Sequence, residues 1–307
     1  MMLELRSAAL RVTFSPLGAR LISVFFDGVD VAAGGGTDAE FLAGDWTAGA
    51  VCGRVAGRIS NARFALDGQM IHVTPSEGEN QLHGGPVNFG NTIWKHEIKG
   101  NTVIFRKHSP DGDQGFPGAV DATATYGLAD NVLSLDLSAV TTKPTMINLT
   151  NHAYWNLAGK GSTFDQMFEI DGHSYLPLDD LKLPTGEIRK VDGTRWDFRK
   201  ARRVGEAYDN AFVLNGKRGD MKLACRLGDP ASGRAMDVHC TEGCLQIYTA
   251  DHWGPAMPGR HGPLMRHGAL ALEPQNFPDA PSHANFPSAV LRPGKSYRHR
   301  IEWRFGT

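Results

Sequence analysis

The sequence predicts an all-β protein, a sandwich of large antiparallel sheets. Three observations predict it. Short β-rich runs recur along the whole chain. Punctuation is dense, with 36 glycines and 17 prolines. No amphipathic helical run exceeds about three turns. Many short strands between frequent turns suit a sandwich and not a βαβ arrangement.

The runs are Leu10 to Phe14, Leu21 to Phe26, Val103 to Lys107, Ala122 to Leu128, Val132 to Val140 and Ala211 to Leu214. Further on come Ala235 to His239, Cys244 to Ala250, Ala269 to Leu272 and Tyr297 to Phe305. Leu133, Leu135 and Leu137 alternate with Ser134, Asp136 and Ser138. This two-residue period describes a strand packed on one side only. Phe64 to Val73 reads as a hairpin around Asp67-Gly68, a strong turn signal. Residues 173–199 read as loop. No repeat, low-complexity run or linker divides the chain, so residues 1–307 are expected to form a single domain.

Composition excludes several classes. Hydrophobic residues are 41% and charged residues 21%, as in an ordinary globular protein, and the net charge is -1. Scattered Lys and Arg give no nucleic-acid surface and no polybasic membrane patch. No apolar stretch reaches the roughly 18 residues of a membrane helix, and the first residues lack a signal-peptide pattern. Cys52, Cys225, Cys240 and Cys244 read as reduced, buried thiols of a cytoplasmic protein. Cys240 and Cys244 have no second pair to complete a zinc signature, so no metal is expected.

The chemistry concentrates in Asn148-Leu149-Thr150-Asn151-His152-Ala153-Tyr154-Trp155-Asn156-Leu157. Read as a strand, it puts Asn148, Thr150, His152, Tyr154 and Asn156 on one face and a mostly apolar set on the other. A row of donors and acceptors around a histidine suits a polyhydroxylated ligand. An ordinary solvent-facing strand would carry Lys, Glu or Arg there.

Other segments carry candidates, each with a plain structural alternative. Arg54 and Arg58 flank small residues, and Arg58 can donate a bidentate fork to hydroxyls; both otherwise read as arginines of a surface turn. His83 precedes paired glycines on a loop. Asp209 stands at the mouth of a strand. Gln246 shares a face with Tyr248, opposite Leu245 and Ile247. Glu273 ends an apolar run and shares its face with Ala269 and Ala271, which leave room beside the carboxylate. An acid there is costly unless paired, solvated or functional, which makes Glu273 a candidate base. The turn-rich segment from Ser109 to Gly118 lacks the spacing of a calcium loop and reads as structural.

Taken in order, these segments resemble the aldose 1-epimerase (galactose mutarotase) family. The resemblance runs through Gly53-Arg54-Val55 with Arg58-Ile59, Asn80 to Gly85, Ser109 to Gly118 and Asn148 to Gly159. It continues through Pro184-Thr185-Gly186-Glu187, Tyr208-Asp209, Leu272-Glu273 with Gln275-Asn276-Phe277-Pro278-Asp279, and Leu291-Arg292-Pro293-Gly294. It covers nearly the whole chain, and the ordered set is more specific than any one motif. It implies a galactose mutarotase-like supersandwich that interconverts the α and β anomers of free sugars without a cofactor.

By the same resemblance, Glu273 is the expected general base and His152 the expected general acid. His83 is expected near the same end of the sugar, with Arg58, Asp209 and Gln246 holding hydroxyls. The expected partner is a small monosaccharide, with neither nucleic acid nor membrane, in a monomer or homodimer. Gly57 stands where the family usually has asparagine, which bears on which sugar fits. Two alternatives remain at this stage. A hexose-phosphate epimerase of the same fold would need a basic cluster for phosphate. A non-catalytic carbohydrate-binding module would not need both Glu273 and His152.

Overall fold

A computed structural model describes residues 2–307. Every ladder between named strands is antiparallel. The larger sheet has nine strands. It is centred on Thr102–Ser109, Val120–Ala129, Val132–Thr141, Tyr297–Gly306 and Ala235–Cys240. A seven-stranded sheet lies in the order Arg189–Lys190, Gly172–Leu176, Asp209–Leu214, Cys244–Tyr248, Leu270–Gln275, Tyr154–Trp155, Ala32–Ala33. A four-stranded sheet of Leu3–Arg6, Leu10–Ser15, Arg20–Phe26 and Val29–Asp30 completes the body.

The two-residue period sorts each strand. In Val132–Thr141, Leu133, Leu135, Leu137 and Ala139 are buried, and the serines and Asp136 turn outward. They meet a core that runs from Leu3 to Phe305 and takes in Phe212, Leu245, Ile247, Leu270, Leu272 and Trp155 from the seven-stranded sheet. That sheet therefore commits one face to the core. Its other face carries Asp209, Gln246, Tyr248, Glu273 and Tyr154, fixed by the pairings Asp209 with Tyr248, Gln246 with Glu273, and Tyr248 and Tyr154 with Ala271.

The expected β-runs are all found as strands, and the Asp67-Gly68 hairpin joins Arg63–Leu66 to Gln69–His72. Among the described residues the α-helix is confined to Asp38–Ala43, capped by Thr37 and Glu40. Two readings need correction. Residues 173–199 are not all loop, because Gly172–Leu176 and Arg189–Lys190 add strands to the sheet edge. Asn148 to Leu157 is not one continuous strand whose whole polar face meets a ligand. It forms the short strands Thr150–Asn151 and Tyr154–Trp155, and all ten residues are buried. His152 and Tyr154 line a cavity, while Asn148, Thr150 and Asn156 bind backbone. Asn148 bonds Ala56 O and Asn276 N, Thr150 bonds Pro274 O, and Asn156 bonds Gly161 O and Gly268 O. These side chains satisfy buried backbone groups of the segments packed around them.

Candidate active site

The free face of the seven-stranded sheet forms the floor of a cavity of about 570 Å³. It is lined by the expected residues His83, His152, Glu273, Arg58, Asp209 and Gln246, so the fold brings all six together. Gln246 and Glu273 are direct cross-strand partners. Asp209 starts the next strand and accepts a hydrogen bond from Gln246 Nε2 at 2.9 Å.

At the centre, His152 Nε2 lies 3.3 Å from Glu273 Oε1, with side chains only 6% and 2% exposed. Burial pushes the Glu273 carboxyl well above its ordinary value, and the nearby Asp209 and Asp45 charges push it further, against Arg58. Burial also pulls the His152 imidazole down to about 4, against the field of Asp45. Both shifts oppose charge, as desolvation must. The remaining polar atoms, Glu273 Oε2 and His152 Nδ1, have no hydrogen-bond partner among the described residues.

His83 sits edge-on to His152, with ring centroids 5.3 Å apart. Its loop depends on the glycines after it: Gly84 has φ +93, and a Cβ there would meet Gly53 O at 2.0 Å. Gly57 N donates to His83 Nδ1 at 3.2 Å. The uncharged ring therefore carries its hydrogen on Nε2 and is a donor. Burial, with His152 and Arg58 nearby, holds His83 well below its ordinary value and so uncharged. His83, His152 and Glu273 each place one possible metal-binding atom within 4.8 Å of the others. His83 fits that role poorly, because Nδ1 is engaged by Gly57 and Nε2 carries the hydrogen.

The arginines behave differently from expectation. Arg58 lines the cavity, but its fork is spent on Glu77, with Nε and Nη2 donating at 2.5 and 2.8 Å. Arg54 is no surface arginine. It is buried and donates to Ser109 Oγ and to the carbonyls of Ser109, Pro110, Pro117 and Gly118. It fastens the turn segment to the loop that carries Arg58.

Several lining residues were not singled out from sequence: Asp45, Trp46, Tyr154, Lys182, Tyr248 and His252. Lys182 Nζ lies 2.9 Å from Asp209 Oδ2. Buried Arg20 donates to the carbonyls of Trp46 and Ala48 and thereby holds the Asp45 loop against the cavity. Tyr248 was visible as a residue sharing the Gln246 face and Tyr154 as one sharing the His152 face; Asp45, Trp46, Lys182 and His252 give no local signal, because they reach the cavity from separate loops.

The buried His152–Glu273 pair thus lies on the floor of the cavity, on the free face of the seven-stranded sheet. The chain belongs to the aldose 1-epimerase family, whose pattern matches residues 1–304. It is thus an isomerase of the mutarotase type. It is 37% identical to a galactose mutarotase of Mus musculus over 268 residues, 84% of this chain and 78% of that one. It is 35% identical to an aldose 1-epimerase of Escherichia coli over 274 residues, 84% of this chain and 79% of that one. Among solved structures, a GalM/aldose epimerase homologue from C. elegans superposes with a TM-score of 0.93 at 30% identity. That match covers 100% of this chain and 98% of the other. Among the described residues no helix is long and apolar enough to cross a membrane.

Proposed function

We propose that this protein interconverts the α and β anomers of free aldoses, galactose and glucose among them, with Glu273 as general base and His152 as general acid. The observation that carries the assignment is the 3.3 Å separation of His152 Nε2 and Glu273 Oε1. The anomeric oxygen and the ring oxygen of a cyclic sugar are borne on one carbon. Two proton carriers this close can reach both.

Proton counting supports the same roles. With Glu273 shifted up and His152 shifted down, burial favours a proton on the carboxyl and an uncharged imidazole. Moving that proton to His152 creates a carboxylate base and an imidazolium acid with no change in net charge. Glu273 then removes the anomeric hydroxyl proton as His152 protonates the ring oxygen, and the C1–O5 bond breaks to the open aldehyde. Rotation about C1–C2 presents the other carbonyl face. The reverse transfers close the ring and return the proton. Each transfer contributes about 10²–10⁴-fold. His83 donates from Nε2 beside the reacting atoms. Asp209 and Gln246 hold the remaining hydroxyls, Arg58 reaches them only through Nη1, the nitrogen that does not donate to Glu77, and residues 1–307 act as one domain around the shared core.

The hexose-phosphate alternative is disfavoured by pairing. Arg58 is engaged with Glu77 and Lys182 with Asp209, so neither cation of the cavity is free for phosphate. Polarimetry of freshly dissolved α-D-glucose and α-D-galactose tests the proposal. Wild-type protein accelerates the approach to the equilibrium rotation, and Glu273→Gln does not. Acceleration with glucose 6-phosphate alone would overturn it.

A further inference from the structure

Beside the His152–Glu273 pair the cavity wall contains a second chain of polar groups that the proton transfers do not use. Asp45 is its buried anchor, with a side chain 4% exposed. Its Oδ1 accepts from Thr47 N at 2.9 Å and from the Thr47 hydroxyl. Its Oδ2 accepts from Trp253 Nε1 at 2.8 Å and faces His252 Nε2 at 3.2 Å. Burial opposes the charge on Asp45. Hydrogen bonding from His252 and Thr47, with His152 nearby, more than offsets it and holds the carboxyl well below the usual range.

His252 continues the chain. The turn after Cys244–Tyr248 folds back, and the imidazole stacks on Tyr248 with centroids 5.6 Å apart and 16° between planes. His252 Nδ1 lies 2.8 Å from Tyr248 OH, and His252 N donates to the same oxygen at 3.0 Å. Tyr248 stands on the site face of the sheet, two residues from Gln246, and lines the cavity.

The bonding can be counted atom by atom. Ionised Asp45 takes the hydrogen of His252 Nε2, which leaves Nδ1 of the uncharged ring as an acceptor. The Tyr248 O–H is drawn to that acceptor. One of its lone pairs receives His252 N–H, and the other remains for the cavity. We propose that Tyr248 is a further sugar-contacting, specificity-determining residue, and that Asp45 and His252 are positioning residues that make its oxygen an acceptor toward the cavity. The group it selects is a sugar hydroxyl that donates, at a ring position away from C1. A purely structural role explains less. Asp45 is already satisfied by Thr47 and Trp253, and the His252 side chain, 43% exposed, fills no core space.

The inference rests on the aldose reading, and the test separates the two. Calorimetry at pH 8.5 measures the Kd of D-galactose, its monodeoxy analogues and the corresponding deoxyfluoro analogues, with wild-type protein, with Tyr248→Phe, with His252→Ala and with the double variant. Binding is read without turnover. Failure to accelerate mutarotation would sink the catalytic reading alone. Tyr248→Phe is expected to weaken galactose by about threefold to tenfold, the worth of one neutral hydrogen bond. One deoxy analogue should be weakened equally in wild type and lose nothing further in Tyr248→Phe. The matching fluoro analogue should bind as poorly as the deoxy sugar, because fluorine cannot donate. His252→Ala should weaken galactose in the same sense, non-additively with Tyr248→Phe. Unchanged affinities in folded Tyr248→Phe would overturn the contact. A fluoro analogue that restores binding, or strictly additive losses, would overturn the positioning by Asp45 and His252.

Discussion

His152 Nε2 stands 3.3 Å from Glu273 Oε1, both side chains buried, and the same desolvation opposes the charged form of each, favouring the protonated carboxyl and the unprotonated imidazole. Two groups this close titrate as a pair, so the chemistry depends on how many protons the pair holds.

Replacing Glu273 by Gln keeps the shape and removes the base. Turnover should fall by about 10²–10⁴-fold. Stability should move the other way at neutral pH. The folded carboxyl lies well above the 4.5 of the unfolded chain, so its contribution to stability is complete below 4.5. It is lost as pH rises through the folded value. A neutral amide has no such loss. Thermal melting at pH 8 should therefore show Glu273→Gln at least as stable as wild type; a marked drop would contradict a protonated resting Glu273.

The pH profile of kcat/KM should be a plateau with two limbs. The acid limb reports the second proton entering the pair and should lie near the value of about 4 to which burial lowers His152. The alkaline limb reports loss of the shared proton, at the raised value of Glu273. Measured initial rates that fall off near 6.5, the ordinary histidine value, would show that His152 is not held as buried and uncharged as the geometry requires.

Arg54→Ala should be a stability variant. Five hydrogen bonds to the Ser109–Gly118 segment disappear, and several buried carbonyls lose their donor. A loss of at least about 2 kcal/mol is expected in urea unfolding. An unchanged midpoint would mean that the turn segment is held by other contacts.

Gly57 should tolerate Asn better than Ala. Its φ of +76 suits glycine, and asparagine visits this region more readily than alanine. An added Cβ would lie 3.2 Å from Pro278 Cβ, a contact that a small shift relieves. Gly57→Ala should cost about 1 kcal/mol of stability and Gly57→Asn less. Because Gly57 lines the cavity, Gly57→Asn should also change the ranking of aldoses in the mutarotation assay. An unchanged ranking would remove Gly57 from sugar selection.

The sequence by itself determined the class of fold and the family, because alternating burial leaves its period in the chain. Leu133, Leu135 and Leu137 were readable as one face since adjacent side chains of a strand point opposite ways. The six candidates His83, His152, Glu273, Arg58, Asp209 and Gln246 were named from ordered motifs, and all six meet at one cavity. Their partners were not readable. Arg58 with Glu77, Lys182 with Asp209, and Asp45 with His252 join segments far apart in the chain, and register, loop path and burial decide which charges meet. The polar row around His152 was misread for the same reason. Asn148, Thr150 and Asn156 look like ligand-binding groups in the chain, but burial turns them to backbone atoms that water cannot reach. Only the tertiary structure removed water from around His152 and Glu273, and that desolvation, which no local pattern encodes, sets their proton affinities.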